Sequence, residues 1–164
     1  MVKYVYEKGE GNSEKINPFL IEKVIGFFLE NQMMGDIVPS GEIQKEYPIT
    51  HNLRTDFVVG DTCIETKVLM RKQAGMDVGN LLHLLVSNKR YYTVLQEHYK
   101  RVVLLVVCEE DVCEGQMGES SIYKEVGKNL EEELDQGVEV WISGIRIEKD
   151  GIVLVSYQKI VPSD

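Results

Sequence analysis

Asp56, Glu65 and Lys67 fall within one short stretch of this chain, and their spacing sets them up for joint chemistry. Leu53 to Val59 and Thr62 to Leu69 read as strands, separated by Gly60-Asp61, with glycine first as a type II′ turn prefers. If Val59 pairs with Thr62, the hairpin register puts Asp56 directly opposite Glu65. Period-two alternation puts Lys67 on the face of Glu65 and Arg54 on the face of Asp56, while Phe57, Ile64 and Val68 form the packed face. Like charges so opposed, with Cβ atoms about 5 Å apart, are destabilising in a sheet. Converging carboxylates suit a hard divalent cation such as Mg²⁺ or Mn²⁺, which takes oxygen ligands and keeps open water positions. Lys67 would then orient or deprotonate an attacking water and offset charge on a phosphate. The plainer alternative is a solvent-facing strand surface on which Arg54 and Lys67 neutralise the two acids as weak cross-strand pairs.

The elements that must hold these residues can be read along the chain. Asn17-Pro18 starts a helix, and Ile21, Val24, Ile25, Phe28 and Leu29 give it one apolar stripe ending near residues 31–35. Glu42 to Thr50 alternates as a strand, with Ile43, Tyr47 and Ile49 on one face and Gln44 and Glu46 on the other. A second helix spans Asn80 to about Lys100, and Arg101 to Cys108 is an almost wholly apolar strand, the pattern of one covered on both faces. A third helix is expected from about Ser121 to Gln136, stopping at Gly137, and strands at Val138 to Ser143 and Gly151 to Val161 close the chain. The order α-β-β-β-α-β-α-β-β implies an α/β fold, a mixed β-sheet flanked by helices. The whole of 1–164 reads as a single domain, with residues 1–15 an N-terminal extension.

The 164 residues are 43% hydrophobic and 27% charged, ordinary for a globular protein, and the longest apolar run is strand length, so no membrane partner is expected. Met1 to Glu10 lacks the basic-then-apolar order of a signal peptide, so a cytoplasmic location is expected. Cys63, Cys108 and Cys113 form no CxxC and no even framework, so reduced, buried thiols are expected. The formal charge of −9 argues against a nucleic-acid partner taken whole. Its placement argues the other way, because residues 51–101 carry eight basic and five acidic residues and hold the entire Asp-Glu-Lys set.

Asp56 with Glu65-Thr66-Lys67 has the form of the PD-(D/E)xK nuclease core. The longer stretch, Lys45-Glu46-Tyr47, then Leu53-Arg54-Thr55-Asp56-Phe57-Val58-Val59, then Ile64-Glu65-Thr66-Lys67, resembles the C-terminal domain of the sugar fermentation stimulation protein family. Asn17-Pro18-Phe19-Leu20-Ile21-Glu22, the strand Val102 to Val107 and Gly137-Val138-Glu139-Val140 match further pieces of that family in order. The helix after the motif keeps basic residues, Lys89 and Arg90, but lacks the family's histidine, and the family's small N-terminal barrel has no counterpart in the residues before the first helix.

The resemblance implies a restriction-endonuclease-like sheet and a metal-dependent endonuclease acting on DNA, with Mg²⁺ or Mn²⁺ as cofactor and, by analogy, a homodimer. Asp56 and Glu65 would bind the metal and Lys67 would assist the water. Glu22, on the first helix where this class often places an extra acid, and Glu46, ten residues before Asp56, are further metal-ligand candidates. Arg54, Arg71, Lys72, Lys89 and Arg90 are candidate phosphate contacts, with Tyr91 and Tyr92 near a base, although the spacing of Tyr92 suits the core better. The alternative is a non-catalytic DNA-binding or regulatory protein that retains the nuclease fold.

Overall fold

The structure, a computed structural model, describes residues 2–11, 18–38, 41–50, 53–69, 89–109, 132, 134 and 137–162. It is a mixed α/β fold. Strands β1 (Lys3–Val5), β2 (Gln44–Thr50), β3 (Leu53–Val59), β4 (Thr62–Leu69), β5 (Arg101–Glu109), β6 (Val138–Ile147) and β7 (Gly151–Val161) form one sheet of order β1-β7-β6-β5-β4-β3-β2. Helices α1 (Pro18–Glu30) and α2 (Lys89–His98) pack on it. The β4–β5 and β5–β6 pairs are parallel and the others antiparallel.

β5, apolar from Val102 to Cys108, occupies the centre because it must be covered on both sides. Its Val103, Leu105 and Val107 pack with Ile21, Val24, Ile25, Phe28 and Leu29 of α1. Its Val102, Leu104, Val106 and Cys108 pack with Tyr92 and Leu95 of α2. Alternation along one strand thus builds two cores, one on each face. Pro18 opens α1 where its missing N–H has no intrahelical role. The helix ends in a Schellman arrangement: the Met33 N–H donates to the Phe28 carbonyl and the Gln32 N–H to that of Leu29, with Gln32 left-handed at φ +56°.

The strands at 53–59, 62–69 and 151–161 have the expected bounds. Others differ. β6 runs on to Ile147, because its pairing with β7 continues across a register shift at Gly144/Ile145. The N-terminal extension supplies β1, which pairs with Ile152 and its neighbours on β7 and buries Tyr4 against the α1 face. Three residues are too few for an alternation signal, so a strand made by edge pairing is invisible in the sequence. The expected second helix is described from Lys89; residues 80–88 lie outside the described residues, as does nearly all of the expected third helix. Cys63 is a buried free thiol, whereas Cys108 is disulfide-bonded, against the expectation of reduced cysteines throughout. Among the described residues no helix is long and apolar enough to cross a membrane.

The strand at 44–50 departs from strict alternation. Ile43 and Lys45 face α1: Ile43 packs in the α1 core, and the Lys45 ammonium pairs with Glu30 at 2.8 Å. Ile49, also odd-numbered, packs in the α2 core instead. Between them Glu46 takes φ +48°, and this left-handed residue turns the strand over. The expectation that Ile43 and Ile49 share one face is therefore corrected.

Candidate functional site

The β3–β4 hairpin turns at Gly60, whose φ of +58° is open to glycine without strain, and its register is the expected one: Val59 with Thr62, Val58 with Cys63, Phe57 with Ile64. Beyond Phe57 and Ile64 the strands stop pairing as a ladder and side chains take over. The Asp56 N–H donates to Glu65 Oε1 at 3.0 Å. The Thr66 N–H and the Thr66 hydroxyl donate to Asp56 Oδ2 at 2.8 and 2.9 Å. Each carboxylate is held through one oxygen by backbone of the opposite strand.

The expectation that Asp56 and Glu65 oppose each other on one face is corrected by this geometry. Phe57 packs in the α1 core, so strict alternation would put Thr55 there too. Thr55 instead lies beside Cys63 and Glu65, its buried hydroxyl closing no hydrogen bond of normal length. The strand turns over at Asp56, paralleling Glu46 on the next strand. Asp56 therefore reaches Thr66 and the α1 side, and Glu65 reaches the α2 side. The two acids approach the gap between diverging strands from opposite faces.

Glu65 is buried. Burial first, then the negative charge of Asp56, push its carboxyl up to about 7, against the pull of its hydrogen bonds. Glu22 is half-buried on α1, and burial followed by Asp56 and Glu46 raises it to about 7 as well. Asp56 is thus the common neighbour of Glu22 on α1 and Glu65 on β4, and Glu46 of β2 lies near Glu22. Gly26 lets α1 come this close: a Cβ there would meet Lys45 Cε and Phe57 Cε1 at 3.2 Å. Glu22 sits one turn before it on the same helix face.

Lys67 pairs in register with Val106, as Glu65 does with Leu104, so it shares the α2 face with Glu65 as expected. It is half-buried and forms no ion pair or hydrogen bond with another described residue. Arg54, Lys89 and Arg90 are exposed. Tyr91 brings α2 against β3, its hydroxyl in close contact with the Arg54 carbonyl, and Lys89 and Arg90 immediately precede it on the helix. Arg71 and Lys72 lie outside the described residues.

Two residues at the site were not picked out by sequence reasoning as parts of it. Thr66 is the middle position of Glu-x-Lys, where any residue satisfies the pattern, yet it bonds Asp56 twice. Tyr91 was read only as a base contact, but its hydroxyl also reaches Glu65 Oε1 at 3.0 Å. Burial and the Glu65 charge keep its phenol protonated far above the usual range. Tyr92 is core, as its spacing indicated. Cys63 lies beside Glu65, and burial together with that charge pushes its thiol up to about 12, the opposite of what a nucleophile needs.

All the candidate ligands are carboxylates, which suit a hard divalent cation and not a soft one. Asp56 Oδ2 takes two donors and Glu65 Oε1 faces two, the Asp56 N–H and the Tyr91 hydroxyl, which leaves Oδ1 and Oε2 outside these bonds. Among the described residues no three such side chains stand close enough together to hold an ion in their present rotamers. The donor chemistry of Asp56 and Glu65 fits a hard cation.

No protein-family model and no curated protein matches this chain. Among solved structures the chain is similar to "The structure of Pyrococcus Furiosus SfsA in complex with Ca2+", at 16% identity and a TM-score of 0.48, over 87% of this chain. It spans 64% of the length of that protein.

Proposed function

We propose that this protein is a metal-dependent phosphodiesterase of the PD-(D/E)xK type, with a restriction-endonuclease-like sheet, that hydrolyses DNA. The observation that carries the reading is the replacement of the β3–β4 ladder by the Asp56 and Glu65 carboxylates, each presenting one oxygen free of the strands. A sheet gains nothing from like charges placed together, one buried and one half-buried, so their presence points to a ligand. Asp56 and Glu65 hold Mg²⁺ or Mn²⁺, and Glu22 and Glu46 supply further acid around it. The cation, when bound, acidifies a water and offsets charge on the scissile phosphate. Lys67, on the Glu65 face and without a described partner, orients that water. Arg54, Lys89 and Arg90 hold neighbouring phosphates, the last two side by side on α2.

The experiment is cleavage of plasmid, single-stranded and branched DNA with Mg²⁺ or Mn²⁺. Wild type cleaves at least one substrate, and Asp56→Ala and Lys67→Ala do not. Inertness of wild type on all three would remove the enzyme reading. A second reading, DNA binding without cleavage, is favoured by one observation: no three acids among the described residues stand in ligating positions. It predicts salt-sensitive retention of DNA that Glu65→Ala leaves unchanged. A homodimer, implied by analogy with such enzymes, is tested by light scattering.

A further inference from the structure

We propose that Tyr91 is the positioning residue of the acid pair: its hydroxyl holds Glu65 Oε1, so that Oε2 alone faces the cation. The inference rests on the metal-dependent reading above and assigns a role that the Asp-Glu-Lys pattern does not contain.

Tyr91 ties three elements together. Its ring is carried by α2 and packs against the α2 core. Its hydroxyl reaches Glu65 Oε1 on β4 at 3.0 Å and lies in close contact with the Arg54 carbonyl on β3. Arg54 is two residues before Asp56, on the stretch of β3 where pairing with β4 has ended after Phe57–Ile64. The Arg54 carbonyl therefore has no acceptor role in a β3–β4 ladder, and Tyr91 meets it there.

A carboxylate oxygen offers two lone pairs, and Glu65 Oε1 spends both, on the Asp56 N–H and on the single Tyr91 proton, which the charged oxygen takes in preference to the neutral Arg54 carbonyl beside it. With both engaged, the carboxylate cannot rotate to chelate with two oxygens or to swing away from Asp56. Asp56 is clamped in the same manner by the two donors of Thr66. Tyr91 does for the acid of β4 what Thr66 does for the acid of β3. Partners of metal-bound carboxylates that orient them in this way carry tenfold to hundredfold effects on metal affinity.

The test is isothermal titration of Mn²⁺ into the full chain, comparing wild type, Tyr91→Phe and, as the matched loss on the other acid, Thr66→Val. Phe keeps the ring and its packing, and circular dichroism with thermal melting of the metal-free proteins checks that each variant folds. Tyr91→Phe is expected to weaken Mn²⁺ binding about 10-fold or more, while the metal-free variant still melts cooperatively at a somewhat lower temperature, as Thr66→Val does. In cleavage assays it lowers kcat while KM for DNA stays constant. Equal Mn²⁺ affinity in wild type and Tyr91→Phe overturns the role of Tyr91 and leaves the metal reading standing. If wild type takes up no Mn²⁺, the metal reading fails and the role of Tyr91 fails with it. Should Tyr91→Phe not fold, a double-mutant cycle between Tyr91→Leu and Glu65→Asp in Mn²⁺ affinity replaces it; additivity there rejects the proposal.

Discussion

The Glu65 carboxylate takes the backbone N–H of Asp56 one residue beyond the last β3–β4 pair, Phe57 with Ile64. A side chain standing in for backbone satisfies the strand while letting it diverge. The divergence opens the gap that the acids border. Strand separation and acid placement are therefore one structural event, and changes to either residue act on both.

Thr66→Val tests that coupling from the Asp56 side. It removes the hydroxyl donor to Asp56 Oδ2 and keeps the shape and the backbone donor. A lost hydrogen bond to a charged group is expected to lower stability by about 1–3 kcal/mol. Urea unfolding without metal measures this; an unchanged midpoint would show that the hydroxyl does not hold Asp56.

Glu46 is held at φ +48°, a conformation that disfavours a side chain. Glu46→Gly relieves this and is expected to stabilise the metal-free protein by about 0.5–1 kcal/mol. The same change weakens Mn²⁺ uptake if Glu46 serves the cation. Melting curves with and without Mn²⁺ separate the two effects: the variant melts higher without metal and gains less from its addition.

Arg101 anchors the turn after α1, donating to Glu139 through Nε and Nη2 and to the Ile37 carbonyl through Nη1 at 2.6 Å. Burial alone would raise the Glu139 carboxyl, but Arg101 and the Trp141 indole N–H hold it below its ordinary 4.5. A depressed folded-state value contributes stability above about pH 4.5 and loses it as pH falls through the folded value. Glu139→Gln should thus be less stable than wild type by about 2 kcal/mol at pH 7, with the gap narrowing as pH falls below 4.5 and through the folded-state value. Denaturant titrations from pH 7 downward measure it; a gap that does not narrow at all below pH 4.5 would rule out the ion pair as its source.

Cys63, with its thiol pushed up to about 12, is almost entirely protonated at pH 8 as well as buried. Iodoacetamide at pH 8 should leave it unmodified in the native protein and alkylate it after denaturation, as read by peptide mass spectrometry. Rapid native labelling would mean that the α2 face opens readily around Glu65.

Much of the frame was legible because hydrophobic periodicity and turn chemistry are local. The stripe Ile21 to Leu29 gave α1, the uniformly apolar Val102 to Cys108 gave a strand covered on both sides, and Gly60-Asp61 gave the hairpin register down to Phe57–Ile64. β1 was not legible, since three residues become a strand only when β7 offers its edge.

For the site, the sequence by itself determined the residue types and their order: Asp56, Glu65 and Lys67 on consecutive strands, with Glu65 and Lys67 on one face because period two is intrinsic to a strand. Only the tertiary structure decided which way Asp56 points. The same rule predicted it opposite Glu65, and the rule fails where Glu46 and Asp56 turn their strands over between two cores. Packing on both faces overrides local alternation there, because Phe57 must enter the α1 core while Thr55 lies beside Cys63 and Glu65 on the other side. The partners that hold the acids, Thr66 from the next strand and Tyr91 from a helix far along the chain, come together only through those long-range contacts.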